Sequence, residues 1–160
     1  MHRPRMTARP PAGLRIGALT GSAGSARARG VAAALGLVAA VLLAYAPVYR
    51  AGFIWDDDDY VVENASLRDA AGLVRIWTDP VATPQYYPLV HTTFWVEHQL
   101  WGLEPAGYHA TNVLLHALAA ILLWRSLALV GVPGAWLAAA VFAVHPVHVE
   151  SVAWIKIGRA

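Results

Sequence analysis

Hydrophobic positions along this chain gather into three runs, the first two separated by one long polar, aromatic-rich stretch and the last two by a short turn. Residues 31–49, VAAALGLVAAVLLAYAPVY, lie between Arg29 and Arg50. At 1.5 Å per residue these roughly 19 residues rise about 28 Å as a helix, enough to cross a hydrocarbon core. A cleaved leader is the rival reading, because the flank is basic and Ala44-Tyr45-Ala46 resembles a small-x-small cleavage site. The length of the run and the spans that follow favour a retained helix. A second run covers residues 107–130, interrupted by Arg125, whose long stem can reach a membrane face. Gly131-Val132-Pro133-Gly134 is turn chemistry, so the third run, residues 134–145, folds back on the second as a tight hairpin.

Between the first two runs, residues 50–106 read as a loop bearing two short helices. Ser66-Leu67-Arg68-Asp69 has the character of a capping box and opens a helix with Ala70, Leu73, Val74 and Trp77 along one stripe. Asp79-Pro80 ends it. A second amphipathic helix starts at Pro88 and runs through Phe94, Trp95 and Trp101 to Gly102. Both are expected to lie in the membrane interface. Asn64-Ala65-Ser66 matches the N-glycosylation triplet, and the helix-start role of Ser66 is the preferred reading. The expected organisation is a disordered basic tail (1–29), a first span (30–49), an outer loop (50–106), a second span (107–130), a third (134–145) and an outer segment (146–160).

Composition agrees with a polytopic all-α membrane protein: 58% of residues are hydrophobic and 14% charged. Cysteine is absent, which removes disulfides and thiolate metal sites. The net charge of +2 hides an asymmetry. Six arginines precede residue 30 with no acid among them, whereas nine acids lie between Asp56 and Glu104. Beside a span, a basic leader holds the N-terminus in the cytoplasm and does not call for a nucleic-acid partner. The loop then faces the opposite compartment, the periplasm in a bacterium.

Two polar clusters stand out. Asp56-Asp57-Asp58-Asp59 places four carboxylates just past the first span, and they must lie in water or around something cationic. His145-Pro146-Val147-His148-Val149-Glu150 follows the third run and is expected on the same side as the acids. His109 and His116, seven apart on the second span, suit helix–helix hydrogen bonding.

Phe53-Ile54-Trp55-Asp56-Asp57, Tyr86-Tyr87-Pro88-Leu89, Trp101-Gly102-Leu103, Gly107-Tyr108-His109, Asn112-Val113-Leu114-Leu115-His116-Ala117-Leu118 and His145 through Trp154 occur in one order. Together they resemble the N-terminal membrane region of the transmembrane and tetratricopeptide repeat-containing O-mannosyltransferases and their bacterial relatives. The resemblance implies a partial GT-C glycosyltransferase fold in a bacterial inner membrane, a polyprenyl-phosphate sugar donor, a protein Ser or Thr acceptor, and mannose as the sugar. It places the paired acidic motif on Asp56 and Asp57, the catalytic candidates, which are also the ligands of any divalent cation. The second-loop motif falls on His145, His148 and Glu150, the candidate substrate-binding residues. After Trp154, Lys156-Ile157-Gly158-Arg159-Ala160 departs from the family pattern, and a truncated chain inactive by itself is the expectation. The alternative is a non-catalytic membrane-anchored interaction module or an inert remnant of a repeat-containing membrane protein. A transport fragment would carry charge inside its spans, where apart from boundary Arg125 there is none.

Overall fold

The computed structural model describes residues 17–53 and 57–155, all helical, turn or irregular, with no strand among them. Two compact units divide at Ala33/Ala34, within helix α1 (Gly17–Ala44). In the first unit the described residues form the start of α1. This corrects the expected disordered tail over 1–29 from Gly17 onward, and the alanines that alternate with glycine and arginine there are strong helix formers.

The second unit holds the remainder. A 3-10 turn, Ala46–Arg50, follows α1, and a widened π turn, Asp58–Val62, precedes a second 3-10 turn, Ala65–Leu67. Then come α2 (Ala70–Thr78), α3 (Pro88–Trp101), α4 (Pro105–Leu129), α5 (Ala135–Val144), a 3-10 turn at Pro146–His148 and α6 (Val149–Ala153). By length and composition, Gly24–Ala44 and Pro105–Leu129 are each able to cross a membrane. The third expected span is shorter than that: α5 has 10 residues, about 15 Å of rise, and spans only if counted with Pro146–Ala153, to which it is bent by 50°.

Small residues let these helices approach closely where lipid gives no hydrophobic drive. Ala135, Ala139 and Ala143 recur every fourth residue on α5 and are buried. Ala143 packs with Val113, Ala117 and Ala120 of α4 and with Val41 and Tyr45 from the end of α1. A second core joins the loop to the head of α4 through Tyr60, Val61, Leu67, Ile76, Phe94 and Tyr108.

Loop elements differ from expectation in their caps. Asp69, not Ser66, is the N-cap of α2, its carboxylate accepting from Gly72 N. Ser66 lies in the preceding 3-10 turn and donates to Ala82 O at 3.2 Å. Asn64 is buried, accepts from Ser66 N and donates to Tyr60 O, a structural use that leaves its amide no access to a glycan. α3 starts at Pro88 and ends against Gly102, whose φ of 60° suits glycine. Side-chain bonds tie α3 down: Trp95 Nε1 to Asp69 O at 2.8 Å, Gln99 Nε2 to Leu67 O at 2.8 Å, and Trp77 Nε1 to Thr92 Oγ1 at 3.0 Å.

Candidate functional site

The π turn rotates the acidic run so that its members do not share one environment. Asp57, just before it, is 1% exposed, whereas Asp59 is exposed. Of the two expected settings, water or a cation, water is withheld from Asp57, because Tyr60 and Val61 anchor the turn in the loop core and draw Asp57 inward. Asp56 lies outside the described residues.

Opposite Asp57 stands α4. Pro105 starts this helix without spending an N–H, and its opening turns bring Tyr108 and His109 inward. Tyr108 donates to Gly102 O at 2.8 Å. His109 is 1% exposed, and neither ring nitrogen has a hydrogen-bond partner. Its polar neighbours are the Ala51 backbone and the Asp57 carboxylate. A buried carboxyl within electrostatic reach of a buried imidazole favours the imidazole's protonated form where water is scarce.

The second cluster forms where α5 breaks. Pro146 cannot continue the helical ladder, and the corner is rebuilt by imidazoles. Val147 N, which would otherwise bond Ala143 O, donates to His145 Nδ1 at 3.2 Å. The freed Ala143 carbonyl lies 3.1 Å from His116 Nε2, the helix–helix bond expected for that residue. His148 packs on Phe142 and His116, with ring centroids at 4.3 and 5.3 Å. Its ring is half-buried, whereas His145 and Glu150 are exposed. Among the described residues no three His, Asp or Glu side chains come together as a metal site.

The two clusters sit on one strut. His109 and His116 are seven residues apart on α4, about 10 Å along the axis, and Asn112 between them donates to Trp154 O at 2.8 Å. Asp57 thus lies within electrostatic reach of the upper histidine, and His148 packs on the lower. Nothing in the sequence ties His109 to Asp57, although its spacing to Asn112 and His116 marks one helical face.

Two further buried polar groups lie on α3. His91 is fully buried and stacked on Tyr60, with Nε2 at 3.1 Å from Gln85 O and Nδ1 without a partner. Burial pushes its pKa down, a tendency the Gln85 carbonyl partly opposes. Glu97 is buried too, and desolvation pushes its carboxyl up to about 7 against a hydrogen bond with Thr111. Neither was singled out in the sequence as a site residue, since each falls in the buried stripe of an ordinary amphipathic helix.

No family model matches the chain, and no solved structure matches it. It is similar to protein O-mannosyl-transferase TMTC2 of Mus musculus, 36% identical over 142 residues, covering 81% of this chain and 16% of the relative. It is also similar to two Drosophila melanogaster proteins. Protein O-mannosyl-transferase Tmtc1 is 34% identical over 137 residues, covering 78% of this chain and 16% of the relative. Protein O-mannosyl-transferase Tmtc3 is 31% identical over 153 residues, covering 76% and 16%. The chain spans about a sixth of the length of these relatives. Two or three helices fit to cross a membrane and a run of matches to one group of enzymes agree: this chain belongs to the TMTC family of protein O-mannosyl-transferases.

Proposed function

We propose that this chain contributes the acidic half of a membrane glycosyltransferase site, one that moves mannose from a polyprenyl phosphate to a Ser or Thr hydroxyl of a protein. The observation that carries the reading is the buried Asp57 carboxyl, within electrostatic reach of the buried His109 at the head of α4. In the reaction the acceptor oxygen attacks the anomeric carbon and its proton passes to Asp57. The bond from that carbon to the phosphate oxygen breaks, and the leaving polyprenyl phosphate takes up the electron pair. His109 steadies the Asp57 carboxylate. His148 and His145, at the α5–α6 corner, supply donors to the leaving phosphate, and Glu150 borders them.

The N-terminus lies in the cytoplasm and both clusters lie outside, periplasmic in a bacterial inner membrane. A divalent cation would rest on Asp57 with Asp56 and the donor phosphate, since hard cations prefer such oxygens. EDTA reads this directly: transfer lost and then restored by Mg2+ or Mn2+ assigns the cation, and unaffected transfer removes it. For the site itself the test is Asp57→Asn in the full-length gene product in membranes. Transfer from polyprenyl-phosphate mannose to a Ser peptide is expected to fall about 100-fold or more while membrane insertion is unchanged. Unaltered transfer removes Asp57 from the chemistry. The chain by itself is expected to bind membrane without transferring sugar, and transfer by the isolated chain would show that its own helices suffice.

A further inference from the structure

A second polar recess lies apart from Asp57, where α3, α4 and α6 meet. It is a pocket of about 220 Å³ whose polar lining is Thr93 and Glu97 from α3, Asn112 from α4 and Ser151 from α6, with Phe94 and Ile155 among its apolar walls. We propose that this pocket binds a neutral, hydroxyl-bearing group, one sugar ring or a Ser or Thr side chain, with Glu97 as its principal hydrogen-bonding residue. The inference rests on the glycosyltransferase reading only for the source of that group.

The lining selects the ligand. Among the described residues no cationic side chain borders the pocket, so a phosphate would meet a carboxyl, two hydroxyls and one amide instead of the guanidinium or ammonium donors it needs. Asn112 spends one amide hydrogen on Trp154 O, which leaves its carbonyl oxygen as an acceptor beside a single remaining N–H. Thr93 commits its hydrogen to Leu89 O and keeps lone pairs. The pocket is therefore rich in acceptors, the complement of a ligand that presents O–H groups. Its volume lies below the roughly 300–1,000 Å³ of pockets for drug-sized molecules, which fits a single ring or side chain.

Glu97 itself is hard to explain as packing. It is 5% exposed, and burying a carboxyl costs several kcal/mol in order of magnitude unless its oxygens are well used. The protein offers it Thr111, whose one hydroxyl hydrogen is shared with Gly107 O. A carboxyl held up to about 7 both donates and accepts near neutral pH, as a hydroxyl ligand requires.

The test uses the full-length protein in lipid nanodiscs, with Glu97→Gln, which keeps the shape, and Ser151→Ala on the opposite wall. Binding of methyl α-mannoside, read by saturation-transfer NMR, is expected to weaken about tenfold in each variant. In transfer assays, a raised KM for polyprenyl-phosphate mannose, with binding of sugar-free polyprenyl phosphate unchanged, assigns the donor sugar. A raised KM for a Ser peptide, with the donor KM unchanged, assigns the acceptor. Wild-type mannoside binding that both variants lose, in a protein without transfer, keeps the pocket and sinks the enzyme reading. Mannoside binding and both KM values unmoved by either variant overturn the pocket.

Discussion

Glu97 shows how one side chain reports on its surroundings. Its ordinary value of 4.5 is raised to about 7, so between those values the folded protein holds a proton that the unfolded chain has released. Stability from this group is present below pH 4.5 and is lost as pH rises through 7, by about 3 kcal/mol in order of magnitude. Tyr108, the titratable neighbour on α4, directs its phenol hydrogen to Gly102 O. His91 acts in the opposite sense: its lowered pKa gives stability present above pH 6.5 and lost as pH falls below that. The wild-type curve mixes the two, so the informative measurement is a difference. Thermal unfolding in detergent between pH 5 and 8 should show Glu97→Gln gaining on the wild type as pH rises. A difference that stays flat across that range would mean that Glu97 does not titrate there.

At the scale of elements, Gly72 and the Pro146 corner are the points of least tolerance. A Cβ on Gly72 would run into the backbone carbonyl of Ser66, which cannot turn aside as a side chain can. Gly72→Ala should therefore lower loop stability by about 1–3 kcal/mol despite alanine's better helix propensity, read as a fall in unfolding temperature. An unchanged temperature would mean that the 3-10 turn can move. At the corner, His116→Phe should leave Ala143 O unpaired and cost about 1–3 kcal/mol. Less should be lost in a Pro146→Ala background, where the ladder can re-form, and equal loss in both backgrounds would deny the coupling. These elements also show what was legible beforehand. Pro88, Gly102 and the Gly131–Gly134 turn announced the ends of α3 and the α4–α5 hairpin, because backbone chemistry is local. The cap of α2 was misread, since Ser66 and Asp69 are both good caps and only the Ser66–Ala82 bond decides between them. The electrostatic influence of Asp57 on His109 and the His116–Ala143 bond join residues 52 and 27 positions apart, distances over which no spacing rule speaks.

For the whole molecule, depth and sidedness decide whether two clusters make one site. α4 has 25 residues, about 37 Å, and is long enough to cross. α5 runs back along it only as far as His116, near its middle, and after the corner α6 brings Trp154 to Asn112, closer to the α4 start. The return thus carries the chain toward the end of α4 where His109 feels the Asp57 charge. Because the sequence has no cysteine, single substitutions can be placed without background. Asp59, Glu150 and Val130 are all exposed, the last at the opposite end of α4. In intact cells a membrane-impermeant maleimide should label Asp59→Cys and Glu150→Cys, whereas Val130→Cys should react only after permeabilisation. The expected direction follows from the arginines ahead of the first span, which hold that end inside. Reaction of Glu150→Cys only from the inner side, or from neither, would separate the histidine corner from the acids. The proposed transfer site would then lose its phosphate half, while the Asp57–His109 pair and the Glu97 pocket would stand on their own contacts.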